Sequence, residues 1–167
     1  MADHDEKDAR LAEAVALRAR GEKEEARRRL VALAAAHPHD AETAYQTAWA
    51  HDVLGLEAEA VPYYERSLAG TGLTPEDRRG ALLGLGSTYR VLGRYEDAVT
   101  LLSGAVEEFP DDGALRAFLA MAHYNTGRNH EAVALLLRLL AATSEDASVR
   151  AYRPAIEHYA ADLDALG

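Results

Sequence analysis

The sequence predicts an all-α fold of stacked helical hairpins, and three observations lead there. Alanine and leucine supply most of a 49% hydrophobic content while aromatic residues make up only 7%, a helix-forming rather than a sheet-forming composition. Glycines recur at Gly21, Gly55, Gly93 and Gly127, separated by 34, 38 and 34 residues, each between two stretches of helical apolar spacing. Small residues stand at fixed offsets from them: Ala14, Ala48, Gly86 and Ala120 seven before, Ala26, Ala60, Ala98 and Ala132 five after. A helix, a tight turn carrying glycine where positive φ or close approach is needed, and an antiparallel second helix account for this pattern, with the small residues where the two backbones cross.

The first hairpin is expected over 7–40, with Leu17 and Leu30 as large residues four before and nine after its glycine. His37-Pro38-His39-Asp40 stops its second helix, because the residue before a proline is driven out of the α region. The second hairpin, 41–74, carries His51 and Tyr64 at the same two positions. Its successor is displaced by four residues because Gly70-Thr71-Gly72-Leu73 lengthens the loop. Thr74 as N-cap, Pro75 at the first helical position and Glu76 with Asp77 in the first turn then open the next helix. The third hairpin, 79–112, has Tyr89 and Leu102 and stops at Phe109-Pro110-Asp111-Asp112; the fourth, 113–146, has His123 and Leu136.

Residues 1–6 read as an acidic lead. The segment 147–167 reads as a helical cap, with Val149, Tyr152, Ile156, Tyr159 and Leu163 on one side and Arg150, Arg153, Glu157, Asp162 and Asp164 on the other. Such a helix would cover the open end of the stack, kinked or divided at Pro154, which cannot donate to the preceding turn.

In the third hairpin, Leu82-x-x-Leu85-Gly86-x-x-Tyr89, then Gly93-x-Tyr95, Ala98, Leu102 and Pro110, resembles the tetratricopeptide-repeat pattern W-x₂-L-G-x₂-Y…A-x₃-F…P, with Leu for Trp and Leu for Phe. The second unit keeps Ala48, Gly55, Ala60 and Tyr64, and the fourth keeps Leu119, Ala120, Gly127 and Ala132. The first unit departs most, with Arg10 and Glu13 where apolar residues are usual, as terminal repeats often do. The resemblance covers roughly residues 7–146. It implies a right-handed α-solenoid of antiparallel helix pairs whose concave groove, lined mainly by first helices, holds a peptide or a partner's helix. It implies binding and no particular chemistry.

Carried onto this chain, the groove positions of the family are Asp8, Leu11, Val15 and Arg18; Glu42, Tyr45, Trp49 and Asp52; Gly80, Leu83, Ser87 and Arg90; and Ala114, Ala117, Met121, Tyr124 and Asn125. Tyr45 and Trp49, the only tryptophan, are four apart and share a helix face. They form either an anchor for a partner's apolar side chain or packing within the solenoid; Met121 and Tyr124 divide in the same way. Arg18 and Arg90 either receive a carboxylate or pair with the chain's own acids. Gly80 and Gly84 share a face, and either a ligand backbone or partner helix approaches there or the array tolerates their low helix propensity. The carboxylate clamp of co-chaperone repeats is missing, since Leu11, Val15, Gln46, Gly80 and Gly84 stand at its Lys, Asn and Arg places.

The chain carries 18 Lys and Arg against 28 Asp and Glu, a formal charge of −10. That sign opposes nucleic acid and favours a basic protein or peptide partner through steering. With no cysteine there is no disulfide, thiolate or Cys-ligated metal. No stretch has the length of a membrane span, and an acidic start is unlike a signal peptide, so a cytoplasmic protein is expected. His51 and His123 read as packing residues with satisfied rings, and His37 and His39 as loop residues. Gly84-Leu85-Gly86 lies within a helix without a following Gly-Lys-Ser/Thr, and no serine has a nucleophile-elbow context. No enzyme, cofactor or metal site is expected. The alternative to a peptide-binding adaptor is a homodimer in which each groove holds its own copy.

Overall fold

The computed structural model describes residues 2–164, with side chains from residue 5 onward; Met1 of the acidic lead and residues 165–167 of the C-terminal segment lie outside the described residues. Among the described residues there are ten helices and no strand. They are α1 (Ala2–Ala19), α2 (Lys23–Ala36), α3 (Ala41–Asp52), α4 (Glu57–Ala69), α5 (Pro75–Val91), α6 (Tyr95–Glu108), α7 (Gly113–Asn125), α8 (Asn129–Thr143), α9 (Ala147–Ala151) and α10 (Arg153–Ala161). The helix α1 takes in residues assigned above to the acidic lead. The chain divides into two compact units at Leu92/Gly93, so α5 belongs to the first and α6 to the second.

Local chemistry sets the helix ends. Gly21, Gly55, Gly93 and Gly127 all have φ between 71° and 88°, so the turns need glycine for the left-handed region and not for close approach. Asp40 and Asp112 accept from the backbone N–H of Thr43 and Leu115 at 2.7 and 2.8 Å, satisfying amides that the first turn leaves unpaired. Thr74 does the same for Asp77 at 3.1 Å, with Pro75 following at the first helical position.

In the first unit, α1 packs on α2, α2 on α3, α3 on α4 and α4 on α5. Leu11, Ala14, Leu30, Leu33 and Ala50 form a buried cluster, and Ala14, Ala26, Ala48 and Ala60 are buried as the small-residue pattern requires. Several polar groups inside are paired, although the buried Thr43 hydroxyl has no hydrogen-bond partner. Lys7, with only 5% of its side chain exposed, donates to Asp40 at 2.8 Å and lies 2.9 Å from Asp8. Burial works against the Asp40 carboxylate, but hydrogen bonds from Lys7 and Thr43 prevail and hold its carboxyl below the ordinary value. His51 Nδ1 lies 2.8 Å from the Thr47 carbonyl and its ring stacks on Tyr63 at 5.2 Å, so this histidine is a satisfied packing residue.

In the second unit, α7 packs on α6 and α8 on α7, and α10 returns along α8. Pro154 falls in the first turn of α10, and the C-terminal segment is divided at Tyr152. One expectation fails here. His123 is half-buried, yet its Nδ1 has no hydrogen-bond partner; burial, joined by the Arg128 charge, lowers its pKa. The apolar face of the C-terminal helices is covered in part, with Val149, Ile156 and Leu163 half-buried and Tyr152 and Tyr159 exposed. Leu136, at the repeat position of buried Leu30, Tyr64 and Leu102, is 45% exposed; α10 approaches α8 from the side of Arg138, whose Nη2 donates to the Ala160 carbonyl at 3.2 Å.

Candidate functional site

The sequence-assigned groove residues of the first unit converge on Trp49. Helical spacing places Tyr45 one turn before it, and the two rings stack with centroids 6.0 Å apart at an interplanar angle of 27°. Across from α3, Arg18 of α1 lays its guanidinium 3.9 Å from the centre of the indole, within the range of a cation–π contact. Gln46 fixes that guanidinium, accepting from Nη2 through Oε1 at 2.6 Å and from Nη1 through its carbonyl at 3.1 Å. Burial lowers the pKa of Arg18, with the neighbouring Tyr45 and Tyr64 opposing, but guanidinium stays protonated in proteins. Trp49 thus sits in a fixed orientation and is still 42% exposed.

The two aromatic residues do not contribute equally. Tyr45 is only 7% exposed and tilts against Tyr64 at 6.4 Å. It supports Trp49 from within the unit, so the combined aromatic surface expected from sequence reduces to the indole. Gly80 and Gly84 explain why both tyrosines fit. A Cβ at Gly80 would meet the Tyr45 hydroxyl and lie 3.1 Å from Cζ; one at Gly84 would meet the Tyr64 hydroxyl and lie 2.6 Å from Cζ. The close approach at these glycines comes from the protein's own tyrosines. Neither a ligand nor a tolerated cost is needed to account for them.

Asp52 is also engaged internally. The Tyr64 hydroxyl donates to its Oδ2 at 2.6 Å, and the Thr88 hydroxyl lies 3.0 Å from its Oδ1 and 2.8 Å from the Gly84 carbonyl. Burial pushes the Asp52 carboxyl up, and these two hydroxyls restrain the rise. Burial and the adjacent Asp52 carboxylate push the Tyr64 hydroxyl up in turn. On α5, Leu83 and Ser87 are half-buried, and Arg90 is half-buried and already engaged.

The first unit also carries a cleft of about 630 Å³ lined by Leu11, Val15 and Gln46 and by Lys7, Asp8, Asp40 and Glu42, in which Lys7 already pairs with Asp8 and Asp40. Burial raises the Glu42 carboxyl, the Lys7 charge opposes this, and Asp77, Asp40 and Asp8 add to it. The second unit has its own exposed patch on α7: Met121 at 39% and Tyr124 at 69%, with Asn125 half-buried beside them and engaged. Among the described residues no cluster of His, Asp and Glu is arranged to hold a metal.

The family model for the tetratrico peptide repeat matches residues 41–163. The chain belongs to the tetratricopeptide-repeat family. It is similar in fold to MamA 41-end from Desulfovibrio magneticus RS-1, with TM-score 0.73, 20% identity, and coverage of 95% of this chain and 90% of that one. A Pseudomonas aeruginosa pilF structure gives TM-score 0.69 at 19% identity, covering 100% of this chain and 79% of that one. A further MamA structure, of a mutant form, gives TM-score 0.69 at 23% identity over 95% and 92%. No match is found among curated proteins. Membership of the tetratricopeptide-repeat family carries a general protein-interaction role, and at these identities the solved structures speak for the fold alone. Among the described residues no helix is long and apolar enough to cross a membrane.

Three contributors to this site were outside the sequence-based set. Gln46 was noted only as a replaced clamp residue, although it orients Arg18; Tyr64 was noted only for its repeat position and Thr88 was not singled out, although both hydrogen-bond Asp52. Tyr64 carried a signal, since it is the one tyrosine at a position held by leucine in the other three units.

Proposed function

We propose that the chain is a non-enzymatic adaptor that binds an extended peptide or a helix of a protein partner, with Trp49 of the first unit as its anchor. The observation that carries this is an exposed indole on a rigid helix, backed by Tyr45 and held under Arg18. Burying such a ring is a usual source of interface energy, and its low mobility reduces the ordering cost on binding.

The favoured partner pairs an apolar side chain, for the indole, with a basic one, for the Glu42 carboxylate in the cleft. The formal charge of −10 supports that sign by attracting basic partners at long range. Arg18 serves as the lid on Trp49 rather than as a receptor for carboxylate. Leu83, Ser87 and Arg90 on α5 extend this surface within the first unit. Met121, Tyr124 and Asn125 provide a separate patch on the second.

A peptide array that varies apolar and basic content, followed by calorimetry on the best sequence, tests this assignment. Peptides combining an aromatic or leucine with Lys or Arg are expected to bind, more weakly in high salt, and Trp49→Ala should reduce affinity at least tenfold. Undiminished binding by Trp49→Ala would remove the anchor. A homodimer with self-filled grooves would instead dissociate on the same substitution.

A further inference from the structure

Counted from the turn glycine, only the second and fourth hairpins have histidine four residues before it and arginine eleven after it: His51 with Arg66, and His123 with Arg138. In the second hairpin a tyrosine joins the pair. Tyr63, eight after the glycine, stacks on His51 with ring centroids 5.2 Å apart at 19°, and the Arg66 guanidinium lies 4.9 Å from the centre of the Tyr63 ring. The fourth hairpin has Leu135 at that place. It keeps the histidine and the arginine and lacks the ring between them in the pattern.

Repacking does not close the space. A cavity of about 410 Å³ lies wholly within the second compact unit, lined by His123 and Arg138 together with apolar Leu119, Ala134, Leu135 and Leu163. Its volume falls in the range of small-molecule sites, and its lining of apolar side chains with a few polar groups is theirs too. Arg138, with no ring to cover, turns to α10 and donates to the Ala160 carbonyl at 3.2 Å, a favourable place for a cation in the last turn of a helix. That contact fixes the wall that α10 contributes. His123 has also lost its counterpart's hydrogen bond: His51 Nδ1 lies 2.8 Å from the Thr47 carbonyl, whereas buried His123 Nδ1 has no partner. An imidazole left in this state carries a desolvation cost that a hydrogen-bonding ligand relieves. Glu131 and Asp162, which also line the cavity, outnumber the Arg138 charge and oppose an anion.

We propose that this cavity binds a small, uncharged planar aromatic molecule with one hydrogen-bonding group, of the phenol or indole class, whose ring takes the place that Tyr63 fills in the second hairpin. His123 and Arg138 contact the ring as His51 and Arg66 contact Tyr63, and the polar group pairs with the His123 imidazole. The site is independent of the Trp49 surface, which belongs to the other compact unit.

Titration of the isotopically labelled full chain with phenol and with indole, followed by nuclear magnetic resonance, tests this. Both should give saturable one-site shifts at His123 and at the methyl groups of Leu119, Leu135 and Leu163, with Kd of about 0.1–5 mM, as molecules of this size allow. Cyclohexanol, which lacks the π face, and benzoate, which is charged, should bind at least about threefold more weakly than phenol. Leu135→Tyr restores the second hairpin's pattern, so it should weaken indole at least tenfold without lowering the melting temperature. His123→Leu should weaken phenol about fivefold and leave toluene unchanged, a split that simple loss of packing would not produce. Should Leu135→Tyr fail to fold, intermolecular Overhauser contacts from indole to the Leu119, Leu135 and Leu163 methyls of the parent chain decide. Absence of saturable shifts up to 10 mM probe, cyclohexanol binding as tightly as phenol, or undiminished indole binding by folded Leu135→Tyr would overturn the proposal. A Gly-Tyr-Gly tripeptide offers the same ring from a protein source; if it binds more tightly than phenol, the cavity receives a partner's aromatic side chain and the small-molecule assignment falls.

Discussion

Replacing Gly84 by alanine sets two effects of opposite sign against each other. Alanine is favoured over glycine in a helix interior by about 1 kcal/mol, so propensity alone calls for stabilisation. The added Cβ, however, would lie 2.6 Å from Tyr64 Cζ and 2.9 Å from Cε1, besides meeting the hydroxyl. Tyr64 cannot easily retreat, because it is 2% exposed and its hydroxyl is committed to Asp52 at 2.6 Å. Overpacking of this kind costs about 1–3 kcal/mol, and losing a hydrogen bond to a charged group about 1.5–3 kcal/mol more. The balance is a net destabilisation of about 1.5–5 kcal/mol. Urea denaturation followed by circular dichroism measures it. The equivalent contacts elsewhere pair Leu30 with Gln46 and Leu102 with Phe118 by repeat register, so a smaller residue at 64 goes with a larger one at 84. Tyr64→Leu should accordingly recover at least half of the loss in the Gly84→Ala background. A neutral or stabilising Gly84→Ala, or two strictly additive substitutions, would refute the complementarity of Tyr64 and Gly84.

Asp40→Ala removes an N-cap and the partner of buried Lys7, and should cost about 1–2 kcal/mol from the cap alone, read as a shift in urea midpoint. Since the folded-state pKa of Asp40 is lowered, its contribution is present above the unfolded value of 3.8 and lost as pH falls through the folded value; the variant should lack that part of the acid limb. Asp52 has the opposite sign, its folded pKa being raised. Asp52→Asn should therefore be more stable than the parent at pH 7, with the advantage shrinking as pH falls toward 3.8, as thermal melts across that range would show. Arg18→Ala should expose more of the indole and lose a cation–π contact worth about 0.5–1 kcal/mol at a partly exposed site, visible as faster quenching of Trp49 by acrylamide.

What the sequence disclosed was local. A positive φ at Gly21, Gly55, Gly93 and Gly127, the caps at Thr74 and the division near Pro154 depend on a few neighbouring residues, and periodicity reports them directly. Burial of the paired alanines follows from the same register. The groove positions were legible as a class, and α1 and α3 do bring Arg18, Tyr45 and Trp49 together. Their individual roles were not legible, because each is decided by a helix distant in sequence: Gly80 makes room for Tyr45, Gln46 holds Arg18, and Thr88 reaches Asp52. The exposure of Leu136 was hidden for a related reason. A repeat position implies burial only if a following helix supplies the cover, and the path of α10 along the Arg138 side is a tertiary choice.

The solitary indole has an optical consequence. Trp49 lies in the first unit and every other aromatic residue is tyrosine or phenylalanine, so emission excited at the red edge of the absorption band comes from the first unit alone. Dichroism at 222 nm, in contrast, sums helices from both. If the two signals melt at one temperature, the repeats unfold as one cooperative block; if they separate, nearest-neighbour coupling is weak enough for the units to melt in turn, as one-dimensional arrays can. The chain thus contains its own spectroscopic probe of how far stability propagates along the stack.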